Sequence, residues 1–585
     1  MSANWMERAK SWANNEAIDQ NSRDKVQGLI ASENHKELEE CFYKDLEFGT
    51  GGIRSILGEG TNRLNKYNIR KAAYALALTA KKQQSETGSI VISYDSRNFS
   101  FEFAKNAAEV FAACGLKALI YKRLNPVPLC SFAIRHHKAL AGVMVTASHN
   151  PPEYNGFKVF WNDGAQVTPP NDQMIIDTFN GITNFADIPV ADFDEALNNG
   201  DIEWLDESAE DPYFEAIKSK SLNYDLCHKE GQKLKIVYTA LHGTGFVPCM
   251  RALTDLGLTN VLSVKEQEMP DGDFPTVSSP NPENAEALAL AVALMNKEDA
   301  DLALGTDPDT DRVGVALTHL GKTQYLNGNQ IGLLMLHYIL SQHKAQASTP
   351  KSPYFVKTIV TTSLQEKIAD SFDVRTENTL TGFKWICGRM NEIETQEPER
   401  NFVFATEESF GYLSHEYVRD KDGVSSIALL CEIALYHKLQ GKNLFQALDD
   451  IYEEYGFAYE TLLCLDYLGK EGSEKIARIM EHFRNHGASD MSVFSPTVLE
   501  DYKKSTVTNL ESNEQTELSL PSSNVLGFSF ASGNKLFLRP SGTEPKIKFY
   551  IMIQQNEGSL ETKKSQALKI TEDFLGFIKA KAESI

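Results

Sequence analysis

Ser148 lies in Thr146-Ala147-Ser148-His149-Asn150-Pro151-Pro152, directly after the apolar run Ala141–Val145. A serine exposed at the end of a buried strand, beside a histidine and ahead of two prolines that forbid a regular continuation, is placed to react through its hydroxyl. Serine is a poor nucleophile at its free pKa and needs a base, a metal or both. His149 is next in sequence, but adjacent side chains point in different directions, so adjacency does not make it the base; Lys158 in Asn155-Gly156-Phe157-Lys158-Val159 is a second candidate. Far along the chain, Gly305-Thr306-Asp307-Pro308-Asp309-Thr310-Asp311-Arg312 places carboxylates at every other residue. That is the density of hard oxygen ligands a Mg²⁺ site needs, and carboxylates so close together repel unless a cation holds them. An EF-hand is disfavoured, because its glycine and glutamate positions are Arg312 and Thr318 and the strand-like Val313–Leu317 follows. A third loop, Arg539-Pro540-Ser541-Gly542-Thr543, joins a guanidinium fork, two hydroxyls and a glycine that lets the backbone approach an anion, a grip suited to a phosphate monoester.

Other motifs are weaker alone. Gly49-Thr50-Gly51-Gly52-Ile53-Arg54 reads as a flexible loop delivering one arginine, without dinucleotide or P-loop spacing. Gly382-Phe383-Lys384-Trp385 and Glu407-Glu408-Ser409 offer an aromatic face and hydroxyl-binding carboxylates, which suits a sugar. Arg419-Asp420-Lys421-Asp422-Gly423 reads as a solvated surface run.

The elements that must carry these loops alternate in type. Short β-rich runs end in polar loops and helical segments follow: Ser89–Tyr94 leads to Asp95-Ser96-Arg97, Ala141–Val145 to the serine loop and Leu234–Thr239 to Leu241-His242-Gly243-Thr244-Gly245. Asp301–Leu304 leads to the aspartate loop, Asn401–Phe404 to Thr406–Gly411 and Lys535–Leu538 to the arginine loop. Such alternation implies α/β layers whose ligands gather at the carboxyl ends of strands. The first forty or so residues read as helix, and so do Val424–Tyr452 and a C-terminal segment with Leu568, Leu575 and Ile578 on one side. A length of 585 residues calls for several domains. The acidic stretch Asp201–Asp211 reads as a linker, Thr318–Thr323 as a hairpin turn or a boundary, and Tyr455–Tyr459 as a further boundary. The expected division is 1–205, 206–322, 323–455 and 456–585.

A formal charge of −22 argues against nucleic acid and membrane surfaces as partners. The eight cysteines are scattered, with no C-x-x-C pair, so neither zinc nor a disulfide framework is expected. No apolar signal core opens the chain, and the longest apolar stretch, Ala287–Met295, is too short to span a bilayer, which points to the reduced cytoplasm.

Taken together and in this order, Thr146–Pro151, Asp307–Arg312, Thr406–Gly411 and Arg539–Thr543 resemble the α-D-phosphohexomutase superfamily, from Phe48 to the C-terminus. Thr381–Ile386 and Arg539–Lys546 look most like the branch of bacterial phosphoglucomutases, animal phosphopentomutase and glucose-1,6-bisphosphate synthase. The resemblance implies four domains around a central cleft, three similar α/β mixed-sheet domains and a smaller α+β C-terminal one. It implies a phosphorylated Ser148, with Mg²⁺ on Asp307, Asp309, Asp311 and an oxygen of that phosphate. Arg54, Lys158 and Arg312 would surround the phosphoserine, with Lys158 the favoured proton carrier, while His149 stays a catalytic candidate by its place beside Ser148. Glu407 and Ser409 would read sugar hydroxyls, Gly382 and Phe383 would form a second specificity loop, and Lys421 would line the substrate site. Arg539, Ser541, Gly542 and Thr543 would hold the phosphate that does not react.

The implied reaction interconverts glucose 1-phosphate and glucose 6-phosphate, with glucose 1,6-bisphosphate as intermediate and activator, by a monomer or weak homodimer. Phosphomannomutase, phosphopentomutase and bisphosphate synthase are neighbouring options. A Mg²⁺-dependent sugar phosphatase with Asp307 as carrier is the rival of another class, and it leaves the serine and arginine loops without a task. The chain departs from the common pattern at Pro308, Thr310 and Thr406, where glycines are frequent, and at Gly411, where phosphomannomutase-type members carry histidine. The last departure disfavours mannose.

Overall fold

The computed structural model describes residues 4–467, 469–541 and 546–585. It divides into two compact units, Met1–Gly328 with Phe383–Gly441, and Asn329–Gly382 with Lys442–Ile585.

The first unit begins with the expected helical segment, three helices at Asn4–Ala13, Gln20–Ala31 and His35–Phe42. A six-stranded sheet follows, built from β1 (Gly52–Ile56), β2 (Ser89–Tyr94), β3 (Lys117–Tyr121), β4 (Ala141–Val145), β5 (Tyr154–Trp161) and β6 (Ile202–Leu205) in the order β1-β5-β4-β2-β3-β6. β4, β2, β3 and β6 run parallel, while β5 is antiparallel to both β4 and β1. All five residues of β4 are buried, the pattern of a strand covered on both faces, so its loop emerges at the carboxyl end beside the loop that follows β2.

Along β5 the two-residue period decides which side chain serves the site. Phe157 and Val159 join the hydrophobic core, and this places Gly156 and Lys158 on the opposite face. Lys158 then pairs with Met144 of β4 on one side and Gly52 of β1 on the other.

A second sheet, β7 (Ile236–Thr239), β8 (Val261–Ser263), β9 (Leu302–Thr306), β10 (Val313–His319) and β11 (Lys322–Leu326), has the order β11-β10-β9-β7-β8. β9 is wholly buried and β10 returns antiparallel to it, with Thr306 opposite Val313, so residues 307–312 bridge two neighbouring strands. Thr318–Thr323 is the hairpin turn, since His319 pairs with Lys322 and β11 belongs to this sheet.

The third α/β stretch contributes to both units. Asn401–Glu407 and Gly411–Leu413 form an antiparallel pair in the first, and Pro353–Thr358 runs parallel to Arg375–Thr379 in the second. The second unit also holds an antiparallel sheet between Phe457 and Gln555, with the helices Gly469–Asp490 and Leu560–Ser584.

Several expectations are corrected. Asp201–Asp211 is not a linker: Ile202–Leu205 is an edge strand paired with β3, followed by a 3₁₀ turn and a helix starting at Asp211. Its acidic residues masked the apolar Ile202 and Leu205, both buried, and Glu210 is itself buried against Arg123 and Asn125. Gly52–Ile56 is a paired strand and not a flexible loop. On the C-terminal helix Leu568 faces solvent, and the packed stripe is Ala567, Thr571, Phe574 and Ile578.

Gly156 marks a tight point of the first sheet. A Cβ there would stand 2.4 Å from the Thr146 carbonyl oxygen and 2.6 Å from that of Ile53. Gly156→Ala is therefore expected to cost about 1–3 kcal/mol of overpacking and to lower the melting temperature by roughly 2–4 °C per kcal/mol. An unchanged transition in scanning calorimetry would contradict this packing.

Candidate active site

The serine loop leaves β4 with Ser148 in the left-handed backbone region, φ 52°, and the Thr146 hydroxyl accepts the Ser148 N–H at 2.8 Å. This conformation turns Oγ toward the aspartate loop, where it donates to Asp307 Oδ2 at 2.9 Å and lies 3.2 Å from His149 Nδ1. The expectation of an exposed serine is corrected, for Ser148 is only 3% exposed. What covers it is the carboxylate and imidazole of the site itself, so its burial reflects contact with the reacting groups. Arg54 reaches the same loop from β1 and donates to Asn150 Oδ1 at 2.9 Å.

All three aspartates are buried, and ligand oxygens of the triad lie within 4.8 Å of one another. Asp307 Oδ1 accepts the N–H groups of Asp311 and Arg312, both at 3.0 Å. Asp309 Oδ2 accepts Lys158 Nζ at 2.7 Å and the Thr146 hydroxyl at 3.2 Å. Asp311 Oδ2 faces Lys158 at 3.4 Å and Lys421 at 3.2 Å. Asp309 Oδ1 and Asp311 Oδ1 are buried and accept no hydrogen bond. Buried carboxylate oxygens left without donors are costly in a protein interior, and a hard divalent cation is the natural occupant of such a set. The residues therefore fit a metal ion, and Asp307, Asp309 and Asp311 are its candidate ligands.

The electrostatics agree. Burial, reinforced by Asp311 and Asp309, pushes the Asp307 carboxyl well above its ordinary range. Burial opposes ionisation of Asp311 as well, but Lys421, Lys158 and Arg312 overcome it and hold that carboxyl low. Burial also works against the Lys158 ammonium, yet Asp309 and Asp311 outweigh it and raise its pKa. His149 is pushed well below the ordinary histidine range by burial and by the neighbouring Arg312 and Arg54, which keeps its ring neutral.

The aspartate loop is braced by three separate stretches through consecutive carbonyls. The Pro308 carbonyl accepts the Thr244 N–H at 2.8 Å, that of Asp309 the Val127 N–H at 3.0 Å, and that of Thr310 the Gly423 N–H at 3.0 Å. Gly243 and Gly423 permit this closeness, since a Cβ on either would come within 2.4–2.5 Å of Pro308 or Thr310 backbone. Arg419–Gly423 is accordingly no solvated run: Arg419, Asp420 and Asp422 are buried, and Asp422 accepts from Tyr213 at 2.9 Å and approaches His415 at 3.0 Å. Partners far away in the chain, Tyr213 and Gln166, help to bury these charges, which a local reading of sequence does not supply.

Five of the six loops anticipated at strand ends meet here: 95–97, 146–152, 241–245, 305–312 and 406–411. The Phe410 carbonyl accepts the Val313 N–H at 3.3 Å; against the opposing effect of burial, Glu283 and Asp311 chiefly raise the pKa of Arg312, Asp311 and Asp420 that of Lys421, and the buried Glu407 carboxylate adds to both. Ser409 is half-buried in the turn beyond Glu407, and Phe383 is buried at the start of the helix Phe383–Gln396. Gly382, at φ 109°, belongs to the second unit, as do Arg539, at the end of the strand Lys535–Pro540, and Ser541, whose N–H is bonded to the Lys546 carbonyl. Gly542 and Thr543 lie outside the described residues.

Sequence reasoning missed four groups at the site. Thr146 bonds both the Ser148 backbone and Asp309, Glu283 engages the Arg312 guanidinium, Gln166 donates to Asp420 at 2.8 Å, and Arg97 gathers carbonyls of the serine loop. Arg97 had a signal, the Asp-Ser-Arg loop after β2. Glu283 had none, because its segment shows no periodicity.

With this geometry in view, the kinship of the chain is plain. Residues 45–185, 211–321 and 327–455 match domains I, II and III of the phosphoglucomutase/phosphomannomutase family, each described as alpha/beta/alpha. Phosphoglucomutase of Staphylococcus saprophyticus is 35% identical over 531 residues, covering 90% of this chain and 94% of the relative. Phosphoglucomutase of Staphylococcus aureus strain MRSA252 is 37% identical over 521 residues, covering 88% and 91%. Among solved structures, pp63/parafusin (phosphoglucomutase) from Paramecium, in its open form, is similar with a TM-score of 0.71 at 16% identity, covering 92% of this chain and 96% of that one. A putative phosphomannomutase from Thermus thermophilus gives 0.64 at 22% identity, covering 90% and 99%. The chain belongs to the phosphoglucomutase/phosphomannomutase family of the α-D-phosphohexomutase superfamily.

The raised Asp307 pKa has a measurable sign. A cation that needs the carboxylate must displace its proton, so Mg²⁺ binding to the protein is expected to release protons and to weaken as pH falls through the Asp307 pKa, by up to about tenfold per pH unit. Titration calorimetry in buffers of different ionisation enthalpy reads the proton directly. Buffer-independent heats across that pH range would contradict the assignment.

Proposed function

We propose that the chain is a phosphoglucomutase that interconverts glucose 1-phosphate and glucose 6-phosphate through a phosphorylated Ser148 and a glucose 1,6-bisphosphate intermediate. The observation that carries this is the Ser148 Oγ held 2.9 Å from Asp307 Oδ2, inside a buried triad with orphaned oxygens. The names of relatives 35–37% identical over most of the chain support the substrate.

Ser148 holds the phosphoryl group and delivers it to the free hydroxyl of the bound phosphosugar, and the bisphosphate so formed turns round and returns its other phosphate to Ser148. Arg54 and Arg312 offset charge on the phosphoryl oxygens in transit. A Mg²⁺ held by Asp307, Asp309, Asp311 and a phosphoserine oxygen would add to that charge stabilisation. Lys158 is our candidate to take the hydroxyl proton. Its ammonium stays charged while Asp309 and Asp311 lie against it, so it becomes a base only when those carboxylates are engaged elsewhere. His149, neutral and 3.2 Å from Oγ, is placed to orient that hydroxyl. Glu407, Ser409, Gly382, Phe383 and Lys421 would read the sugar, and Arg539, Ser541, Gly542 and Thr543 the phosphate that does not react.

Glucose 1,6-bisphosphate would serve as activator by phosphorylating Ser148. The division into 1–205, 206–322, 323–455 and 456–585 is likewise our proposal, except that the second boundary moves from 322 to beyond Leu326, the end of β11. The free cysteines agree with a cytoplasmic setting, and we infer a monomer or weak homodimer. No helix among the described residues is long and apolar enough to cross a membrane.

Ser148→Ala is expected to abolish turnover while leaving glucose 1-phosphate binding within about threefold, since the hydroxyl acts on the reacting group and contributes little to ground-state affinity. Near-normal mutase rates in that variant, or phosphate mapped by mass spectrometry to Asp307 in place of Ser148, would overturn the reading. Initial rates on glucose 1-phosphate, mannose 1-phosphate and ribose 1-phosphate, with and without the bisphosphate, test the substrate.

A further inference from the structure

We propose that Arg97 is a positioning residue for Ser148, holding the serine loop in the strained shape that aims Oγ at the aspartates. The proposal rests on the reading of Ser148 as the phosphoryl carrier.

Arg97 comes from the Asp95-Ser96-Arg97 loop at the carboxyl end of β2, and the serine loop leaves the carboxyl end of β4, its parallel neighbour. Its side chain is fully buried. Nη1 donates to the carbonyls of Pro151 at 2.9 Å and Tyr154 at 3.0 Å, and Nη2 to the carbonyls of Ser148 at 2.5 Å and Asn150. Nε lies 3.5 Å from Asp95 Oδ2 as an ion pair without a hydrogen bond, so the hydrogen bonds of the planar group are those of its two terminal nitrogens. All four go to one seven-residue stretch, Ser148–Tyr154, and one of those four is to the carbonyl of the reacting residue itself.

That stretch needs an external hold. Ser148 sits at φ 52°, a region that residues with a Cβ enter only when their surroundings impose it. Within the loop the Thr146 hydroxyl takes the Ser148 N–H and the Ala147 carbonyl takes the Asn150 N–H. These bonds fix amides; the guanidinium fixes the carbonyls that face the other way.

The clamp is closed by a strap from the second sheet's domain. The Phe274 ring lies 5.0 Å from the Arg97 guanidinium carbon and is itself buried, at φ 46°. On either side, Asn98 donates to Asp273 at 2.7 Å and the Ser279 hydroxyl donates to the His149 carbonyl at 3.1 Å. Phe274 keeps water from competing for the four carbonyls. Asp95, buried behind the guanidinium, balances its charge. Burial raises the Asp95 carboxyl while Arg97 pulls it back down.

Lysine retains the charge but offers three donors from one point and cannot span carbonyls gathered by a fork. In full-length protein assayed with Mg²⁺ and glucose 1,6-bisphosphate, Arg97→Lys is expected to fold and to keep its KM for glucose 1-phosphate within about threefold. Its kcat is expected to fall about 100-fold, the scale of a misplacement near 1 Å, and phosphate transfer from labelled bisphosphate to Ser148 should slow in the same proportion. A crystal structure of the variant should show Ser148 outside the left-handed region and Oγ withdrawn from Asp307. A kcat within about threefold of the parent in folded Arg97→Lys protein, or Ser148 unmoved in its crystal structure, would overturn the proposal.

If Arg97→Lys does not fold, Phe274→Ala leaves every N–H in place but admits water. It should lower kcat roughly tenfold at unchanged KM, and an unchanged kcat counts against us. A parent protein that never carries phosphate on Ser148 defeats the functional reading instead; the Ser148 backbone in the variant's structure still decides the positioning claim.

Discussion

Three carboxylates buried within reach of one another, two of them with an oxygen that no donor satisfies, are the constraint around which the first unit is organised. Mutual repulsion in a low-dielectric interior would disperse them if they were free to move. Lys158, Lys421 and Arg312 offset that repulsion from the flanks, and the backbone amides of Asp311 and Arg312 converge on one Asp307 oxygen. The cations balance the triad without saturating it, and that residual demand is what makes the place a candidate cation site.

Topology explains why these groups can meet. Buried parallel strands deliver their loops to one edge of each sheet, and Ser148, Arg97 and the aspartates all come from such edges. β5 is the exception, since it runs antiparallel and supplies its lysine from mid-strand. Only the alternation of Phe157 and Val159 into the core directs Lys158 to the site, so its place depends on register in a way the loop residues do not share.

Legibility in the sequence followed this division. Ala141–Val145 and Ser89–Tyr94 appear as strands at the bounds expected, because short β-branched apolar runs closed by polar turns carry their own signal. The clustering of the triad was readable from spacing alone, since residues 307, 309 and 311 are close in the chain whatever surrounds them. Asp420 and Asp422 were not: their burial depends on Gln166 and Tyr213, far away in the chain, and a run of charged residues looks solvated until those partners are known. The same holds for Ile202–Leu205, where acidic neighbours hid a strand that only pairing with β3 creates. Ser148 was expected in the open, because sequence shows the strand that ends before it and not the loop that closes over it.

The three-way bracing of the aspartate loop limits how such a protein can be recombined. Pro308, Asp309 and Thr310 each lodge their carbonyl on a different stretch, around Thr244, Val127 and Gly423. A chimera that imports any one of these stretches from a relative brings one wall of a socket whose other two walls were shaped elsewhere. Viable crossovers must let all three travel with the loop, so these stretches act as a single piece in any recombination.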